Sequence, residues 1–433
     1  MHNRRDFFRL GAMAAAGPGL AAAGLTLAGP DLTPAGPGPA LAESHPPLGK
    51  LKITKFVLHK ATLRWRDLLF LEIHTDGGLV GIGEGSLHTR VDLVEEALRW
   101  LEPHLIGQDP AGIEDHWDRM YFRLTRWRNG PVLVTALSAV DIALWDLEGK
   151  RLGAPVWRLL GAAPGTKLRP YFTHWDSVVR AKSPEGFGEA AAAAKAKGWT
   201  GVKFGAVGGA SEYQRIAQTV AKLAAIRKAV GEDFDVGLEL GERLTTRSAI
   251  RFADAVEPYH PMFIEEATLR ENPEAMTEVA AKSRVPLATG EGLQTRFEFR
   301  RLLDAKGASI VQPDVLHCGG ITELRRIARF AEVYGVEVAP HQCYGPIAHV
   351  ASLNAVAGCR NFLIHEWEAE DDDRFQEACG GAYPVQQGGV IALADQPGLG
   401  LSMDFAAFCR RFPYKTAPRS MPDLKKSAPG ATR

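Results

Sequence analysis

Cysteine is scarce in this sequence: Cys318, Cys343, Cys359, Cys379 and Cys409 all fall in the C-terminal third, with no Cys-x-x-Cys pair. The odd number and the missing spacing argue against a disulfide framework and a zinc site, leaving scattered core thiols as the plain expectation. An excess of either charge is also absent, since 51 Lys plus Arg face 51 Asp plus Glu. That excludes the basic stripe that follows a nucleic-acid backbone or an anionic membrane, and makes a small molecule the expected partner. No later stretch is long and apolar enough to span a bilayer, which takes roughly 20 residues. A dinucleotide fingerprint is missing too: Gly81-x-Gly83-x-Gly85 follows a strand but lacks the completing spacing, and is read as a turn.

What remains is a chain of 433 residues with 45% hydrophobic content, enough for one large domain and a smaller companion. At the N-terminus Arg4 and Arg5 precede Phe7, Phe8 and Leu10, then an Ala/Gly run ends in Ala40-Leu41-Ala42. This resembles a twin-arginine export signal over residues 1–42, cleaved after Ala42, so the expected location is periplasmic. Gly17-Pro18-Gly19 interrupts the run, which argues against an uncleaved anchor and against any membrane association beyond export.

From Leu51 to Val57 the sequence alternates as a strand does, and Leu69 to Ile73, Asp76-Gly77-Gly78 and Leu79 to Ile82 read as a hairpin. Helical patterns follow at Leu93 to Leu101 and Ala136 to Lys150, giving an α+β unit over residues 43–165. Over residues 166–390 short apolar runs alternate with amphipathic helical stretches: 201–204, 236–240, 262–265, 285–289, 308–312, 336–339 and 362–364. Strand then helix, repeated every 25 to 35 residues or so, predicts parallel strands in a closed barrel, with an open doubly wound sheet as the alternative. Residues 391–433 read as a tail packing back on the first unit. The expected fold is α/β: a modified TIM barrel of (β/α)7β type with an N-terminal α+β capping domain.

Glu239, Glu265 and Glu291 each end one of these runs, and they stand 26 residues apart (265 − 239 and 291 − 265). One strand–helix unit separates each from the next, which would bring all three to one side of the C-terminal mouth, where barrel enzymes do their chemistry. Three buried carboxylates repel unless a cation sits among them, and an all-oxygen set suits Mg2+ better than zinc. Asp314 and His341 end the next two strands. An aspartate on one imidazole nitrogen fixes the tautomer and makes the other a good proton acceptor. Glu366 stands at the eighth strand.

At this point the sequence resembles the enolase superfamily, in its mandelate racemase branch and near the galactonate dehydratases. The matching pieces run in order: Leu79 to Glu84, Leu105 to Pro110, Asn129-Gly130-Pro131, Asp141 to Asp146, Ala154 to Trp157, Glu265-Glu266, Ala288 to Glu291, Gln312-Pro313-Asp314, Gly319-Gly320-Ile321 and Ala339-Pro340-His341. The resemblance implies that Mg2+ is held by Glu239, Glu265 and Glu291, binds the substrate carboxylate and stabilises the enediolate formed when the α-proton leaves. It makes His341 the base, oriented by Asp314. Glu366 would hydrogen-bond the carboxylate or enediolate, and Lys203 stands at the second strand. The implied substrate is a small sugar acid, the implied reaction is dehydration to a 2-keto-3-deoxy acid, and a homo-oligomer is expected.

Three positions depart from the family pattern. Glu239 replaces the usual Asp, Gly205 stands where racemases carry a second lysine, and Gly241 stands where galactonate dehydratases carry a histidine acid. Without the second lysine racemisation lacks its second base. Without the histidine, dehydration needs another donor, for which Glu242 and Tyr171 are candidates beside His341 itself. The two glycines predict a wider mouth and a bulkier substrate, with Arg243 or His174 reaching its extra part. The alternatives are an epimerase or lactone cycloisomerase using the same intermediate, and a sugar-acid binding protein that lost catalysis.

Overall fold

The computed structural model describes residues 50–175, 183–206 and 208–415. The expected export signal lies outside the described residues, as does the end of the tail. Among the described residues no helix is long and apolar enough to cross a membrane.

The cap opens with an antiparallel sheet of β1 (Ile53–Leu63), β2 (Arg66–Thr75) and β3 (Val80–Glu84). Successive side chains of a strand face opposite ways, and β2 is buried on both sides. Leu69, Leu71 and Ile73 enter the cap's own core with Val94, Leu98 and Leu101 of the helix Val91–Leu105, while Leu68 and Phe70 join the main core. The glycines read as a turn lie within and just after β3, so that reading is corrected. A Cβ at Gly81 would come within 2.2 Å of the Ala143 carbonyl oxygen, and one at Gly83 within 2.1 Å of that of Ala139. Bare backbone at both lets the helix Pro131–Arg151 lie directly on the strand.

After the two-residue β4 (Lys167–Leu168) come eight parallel strands: β5 (Pro170–Phe172), β6 (Gly201–Gly205), β7 (Asp235–Glu239), β8 (Phe263–Glu265), β9 (Leu287–Thr289), β10 (Ile310–Val311), β11 (Glu337–Val338) and β12 (His365–Trp367). They pair in the order β11-β10-β9-β8-β7-β6-β5-β12, and a parallel bridge between Val338 and Phe362 brings the ends of that order together. The eighth strand lies three residues beyond the apolar run 362–364 that announced it. Connecting helices start where sequence chemistry says they should: the side chains of Ser183, Ser211, Thr245 and Asn272 each accept the free N–H three residues on.

The tail returns to the cap. β13 (Ile391–Ala392) pairs with β4, the helix Phe405–Arg411 sets Phe405 and Phe408 against Phe70, and the Thr62 amide donates to the Phe412 carbonyl.

Candidate active site at the barrel mouth

Inside the barrel, side chains two residues apart stack in layers. Tyr171, Phe263, Ala288, Ile310, Ala339 and Ile364 form one apolar layer. Two residues further along four of these strands stand Glu265, Gln312, His341 and Glu366, with Lys203 between them from β6. These polar and ionisable groups therefore sit one step above an apolar floor, at the C-terminal ends of the strands, where barrel enzymes place their active sites.

Lys203 is the hub of this layer. Its Nζ lies 2.7 Å from Glu265, 2.8 Å from Glu366 and 3.8 Å from Glu239. Burial alone would lower the Lys203 pKa, but Glu265 and Glu366 outweigh it and hold the ammonium charged, well above its ordinary range. Gln312 donates to the other Glu265 oxygen at 2.7 Å, so both oxygens of that carboxylate are occupied. Burial would raise Glu366, yet Lys203 and His341 reverse this and keep it ionised, and its second oxygen accepts the Gln342 N–H at 2.9 Å.

Asp314 and His341 meet as expected: His341 Nδ1 lies 2.7 Å from Asp314 Oδ2. Nε2 faces the mouth, 3.5 Å from Glu291 and 3.8 Å from Glu366. Burial works to lower the imidazole pKa, but Glu291 and the other groups around it hold it well above its usual value.

The converging carboxylates differ by one residue from the expected trio. Oxygens of Glu239, Glu266 and Glu291 lie within 4.8 Å of one another, whereas Glu265 is engaged by Lys203 and Gln312. Glu266 has φ of 48°, a left-handed conformation that breaks the strand's alternation and turns a second glutamate to the mouth. Glu242, just after β7, and His174, just after β5, share that conformation, with φ of 61° and 53°. Strained backbone gathers at these strand ends, as it does at functional sites. Burial pushes all three carboxyls up, most for Glu239 and Glu266; Glu265 adds to the first and Glu291 to the second.

The remaining candidates divide. Tyr171 belongs to the apolar floor, with Lys203 Nζ 5.7 Å from its ring centre, and burial pushes its hydroxyl pKa well up. His174 Nδ1 lies 2.7 Å from Glu368, which raises its pKa against the pull of burial, and its ring meets Trp65 edge-on. Glu242 accepts from Arg270, at 2.6 Å from Nε and 3.0 Å from the backbone N–H, and Arg270 also reaches Glu266 at 3.6 Å. Arg243 is exposed. Gly241 has φ of 56°, and a Cβ there would stand 3.7 Å from Glu239. Glu266, Arg270, Glu368 and Gln312 join the site without a role assigned from the sequence; Glu266 and Gln312 stand in the family-matching pieces Glu265-Glu266 and Gln312-Pro313-Asp314, Glu368 stands beside the eighth strand, and Arg270 has no signal. A cavity of about 370 Å³ opens beside this edge of the site, between Asn129-Gly130-Pro131 of the cap and Leu269, Arg270, Gly292 and Leu293 of the barrel.

Residues 50–161 match the model of the mandelate racemase / muconate lactonizing enzyme N-terminal domain, and residues 187–407 match the enolase C-terminal domain-like model. A D-galactonate dehydratase of Ralstonia nicotianae is 37% identical over 386 residues, covering 87% of this chain and 96% of that protein. One of Cronobacter sakazakii is 36% identical over 374 residues, covering 82% and 92%. Among solved structures, an enolase-superfamily member from Salmonella Typhimurium superposes with a TM-score of 0.78 at 28% identity, covering 84% of this chain and 98% of that one. A mandelate racemase/muconate lactonizing enzyme from Sulfitobacter gives 0.77 at 30% identity, covering 84% and 96%.

Proposed function

Because this chain belongs to the enolase superfamily, in the branch of mandelate racemase, muconate lactonizing enzyme and the galactonate dehydratases, we propose that it is a hydro-lyase acting on a sugar acid. It takes the proton from the carbon beside the carboxylate and expels the hydroxyl of the next carbon as water, leaving an enol that becomes a 2-keto-3-deoxy acid. The observation that carries this reading is the Asp314–His341 pair, aimed at the converging carboxylates beside Lys203.

With Asp314 accepting from Nδ1, Nε2 is the nitrogen that receives the α-proton; a cation held by Glu291 would offset the negative charge that keeps the imidazole protonated and so free the Nε2 lone pair. The Cα–H electron pair first moves toward the carboxylate, giving the enediolate, and then forms the Cα–Cβ double bond as the Cβ–O bond breaks. The imidazolium returns its proton to the departing hydroxide when that group lies on the same face. Lys203, held charged, supplies a fixed positive charge for the carboxylate end of the substrate, and Glu366 keeps it in place.

Three carboxylates within 4.8 Å, Glu266 buried and Glu239 and Glu291 half-buried, each pushed toward its neutral form, fit a hard divalent cation. Glu239, Glu266 and Glu291 would hold Mg2+, which when bound supplies Lewis-acid charge to an oxygen gaining electron density. Glu265, the ligand that the family resemblance implies, would serve Lys203 instead. Calorimetric Mg2+ titration of Glu265→Gln and Glu266→Gln tests this, and normal binding by Glu266→Gln with loss in Glu265→Gln would reverse the two roles.

A panel of aldonates incubated with Mg2+ and read for 2-keto acid tests the reaction. Inversion of the α-carbon without keto acid would replace dehydration by epimerisation. Export by the twin-arginine route belongs to the same reading, resting on Arg4-Arg5 and Ala40-Leu41-Ala42. Full-length protein that stays uncleaved in the cytoplasmic fraction would remove it.

A further inference from the structure

We propose that two residues of the cap, Arg66 and Glu84, are positioning residues for the base His341 and for Glu366, the carboxylate that holds Lys203. The inference rests on the reading of His341 as the base.

His341 sits on the short loop between β11 and the helix Pro346–Val356, and the cap grips that loop from both sides. Arg66, fully buried at the start of β2, donates from Nη1 to the carbonyls of Cys343 at 2.8 Å and Tyr344 at 3.0 Å. Glu84, fully buried at the end of β3, accepts the N–H of Gly345 at 2.8 Å and of Ala348 at 3.0 Å. The Ser86 hydroxyl donates to it as well, at 2.7 Å. A helix leaves its first N–H groups without internal partners, and the residue before the helix normally supplies the cap. Here that residue is Gly345, which has no side chain to offer. Glu84 does its work from another domain, 261 residues away in sequence.

The fit depends on the glycine. A Cβ at Gly345 would stand 2.6 Å from Glu84 Oε1, too close for any real contact, so a side chain there expels the carboxylate.

Arg66 also reaches the segment that follows Glu366. Its guanidinium pairs with buried Asp371, and its neighbour Arg64 lies 3.8 Å from Glu368 and 3.6 Å from Asp371. One cap strand thus holds the loop of the base and the segment beyond the anion opposite it. Burying a guanidinium and a carboxylate is costly, and apolar packing would join two domains at less expense. What three directed bonds to the loop and one to the first turn of its helix add is placement, and a displacement of about 1 Å at a reacting group costs on the order of 100-fold in rate.

The test uses the full mature chain with D-galactonate, or whichever aldonate the panel turns over. It measures kcat, KM, α-proton exchange in deuterium oxide, melting temperature, and backbone hydrogen exchange over residues 341–348. Glu84→Ala, Arg66→Met and Gly345→Ala should each lower kcat and α-proton exchange about 10- to 100-fold, with KM within about threefold and faster backbone exchange in the loop. Glu84→Gln, which keeps an acceptor oxygen, should recover part of the loss. Gly345→Ala combined with Glu84→Ala should be no worse than the worse single variant, because both break one contact. Folded variants with native kcat and exchange, or losses that follow only the folded fraction, would overturn the positioning role. If His341→Asn still exchanges the α-proton, the base assignment itself fails, and with it the pair these residues were to position.

Discussion

Two residues along the same strand separate two kinds of chemistry in this barrel. On one layer Phe263, Ala339 and Ile364 join Tyr171 and Ile310 in dry packing. On the next, Glu265, His341 and Glu366 gather around Lys203. The lower layer gains free energy from burial at roughly 25 cal/mol per Å² of apolar surface. The upper layer loses it by placing like-charged carboxylates together in a site where burial disfavours their ionised forms. The side chains differ within about 7 Å of strand while the backbone continues unchanged. The floor fixes the positions of the strand ends, and what stands on those ends is free to be unstable.

The largest effects should break this contrast at its top. His341→Asn should lose α-proton exchange and dehydration together, by about 10²- to 10⁴-fold, while its melting temperature stays close to the parent's. Phe263→Ala on the floor should do the opposite, costing about 3–5 kcal/mol of stability in chemical denaturation with little change in kcat per folded molecule. A His341→Asn protein that still exchanges the α-proton would end the role assigned to that residue.

The next effect is on both layers at once. Exhaustive chelation should abolish activity and lower the melting temperature, because the carboxylates of Glu239, Glu266 and Glu291 are left facing one another. Restoring Mg2+ to about 100 times its dissociation constant should return roughly 2.7 kcal/mol. Full activity after dialysis against chelator would remove the metal from the reading.

A smaller effect sharpens the lower side. His365, one residue before Glu366, faces out of the barrel toward the Ser352 hydroxyl at 2.9 Å, and burial lowers its pKa to about 4. The folded value lies below the unfolded value of about 6.5, so the unfolded chain binds more protons in between. Stability should therefore be full above about pH 6.5 and decline as pH falls toward 4, by roughly 3 kcal/mol at most from this residue. Urea denaturation at pH 7.5 and pH 5 checks it: His365→Gln should show a flatter dependence, with His349, whose pKa burial also holds well below its usual value, contributing to the slope that remains.

What could be read from the sequence and what could not follow from the same geometry. The strand–helix repeat and the 26-residue spacing carry the barrel, and Asp314 and His341 could be paired because they end consecutive strands. Glu266 could not be separated from Glu265, since strict alternation hides it and only a backbone φ of 48° turns it to the mouth. The apolar run at 362–364 announces the last strand but stops where His365 and Glu366 begin, and the strand His365–Trp367 carries Glu366 as expected. Gly81 and Gly83 read locally as a turn, but their cause is a helix about 60 residues on. Arg66 carries no signal and Glu84 only as the end of the family-matching piece Leu79 to Glu84, since the loop each one holds lies more than 260 residues away.

The smallest effects concern the proton donor to the leaving hydroxyl. Gly241 leaves no histidine after β7, and proton donation typically contributes 10²- to 10⁴-fold, so some group must act. Glu242 is held by Arg270 through two hydrogen bonds to one oxygen, which makes it an acceptor with a settled partner. Tyr171 lies in the apolar floor beneath Lys203, where burial raises its pKa and makes its proton harder to give. His341 alone is both protonated by the first step and directed at the mouth. Glu242→Gln and Tyr171→Phe should therefore lose less than about tenfold in dehydration, with α-proton exchange unchanged. Keto-acid formation and deuterium incorporation, followed in the same sample, separate the two steps. A Glu242 or Tyr171 variant that still exchanges the α-proton but no longer releases water would refute the single-histidine scheme and identify the acid.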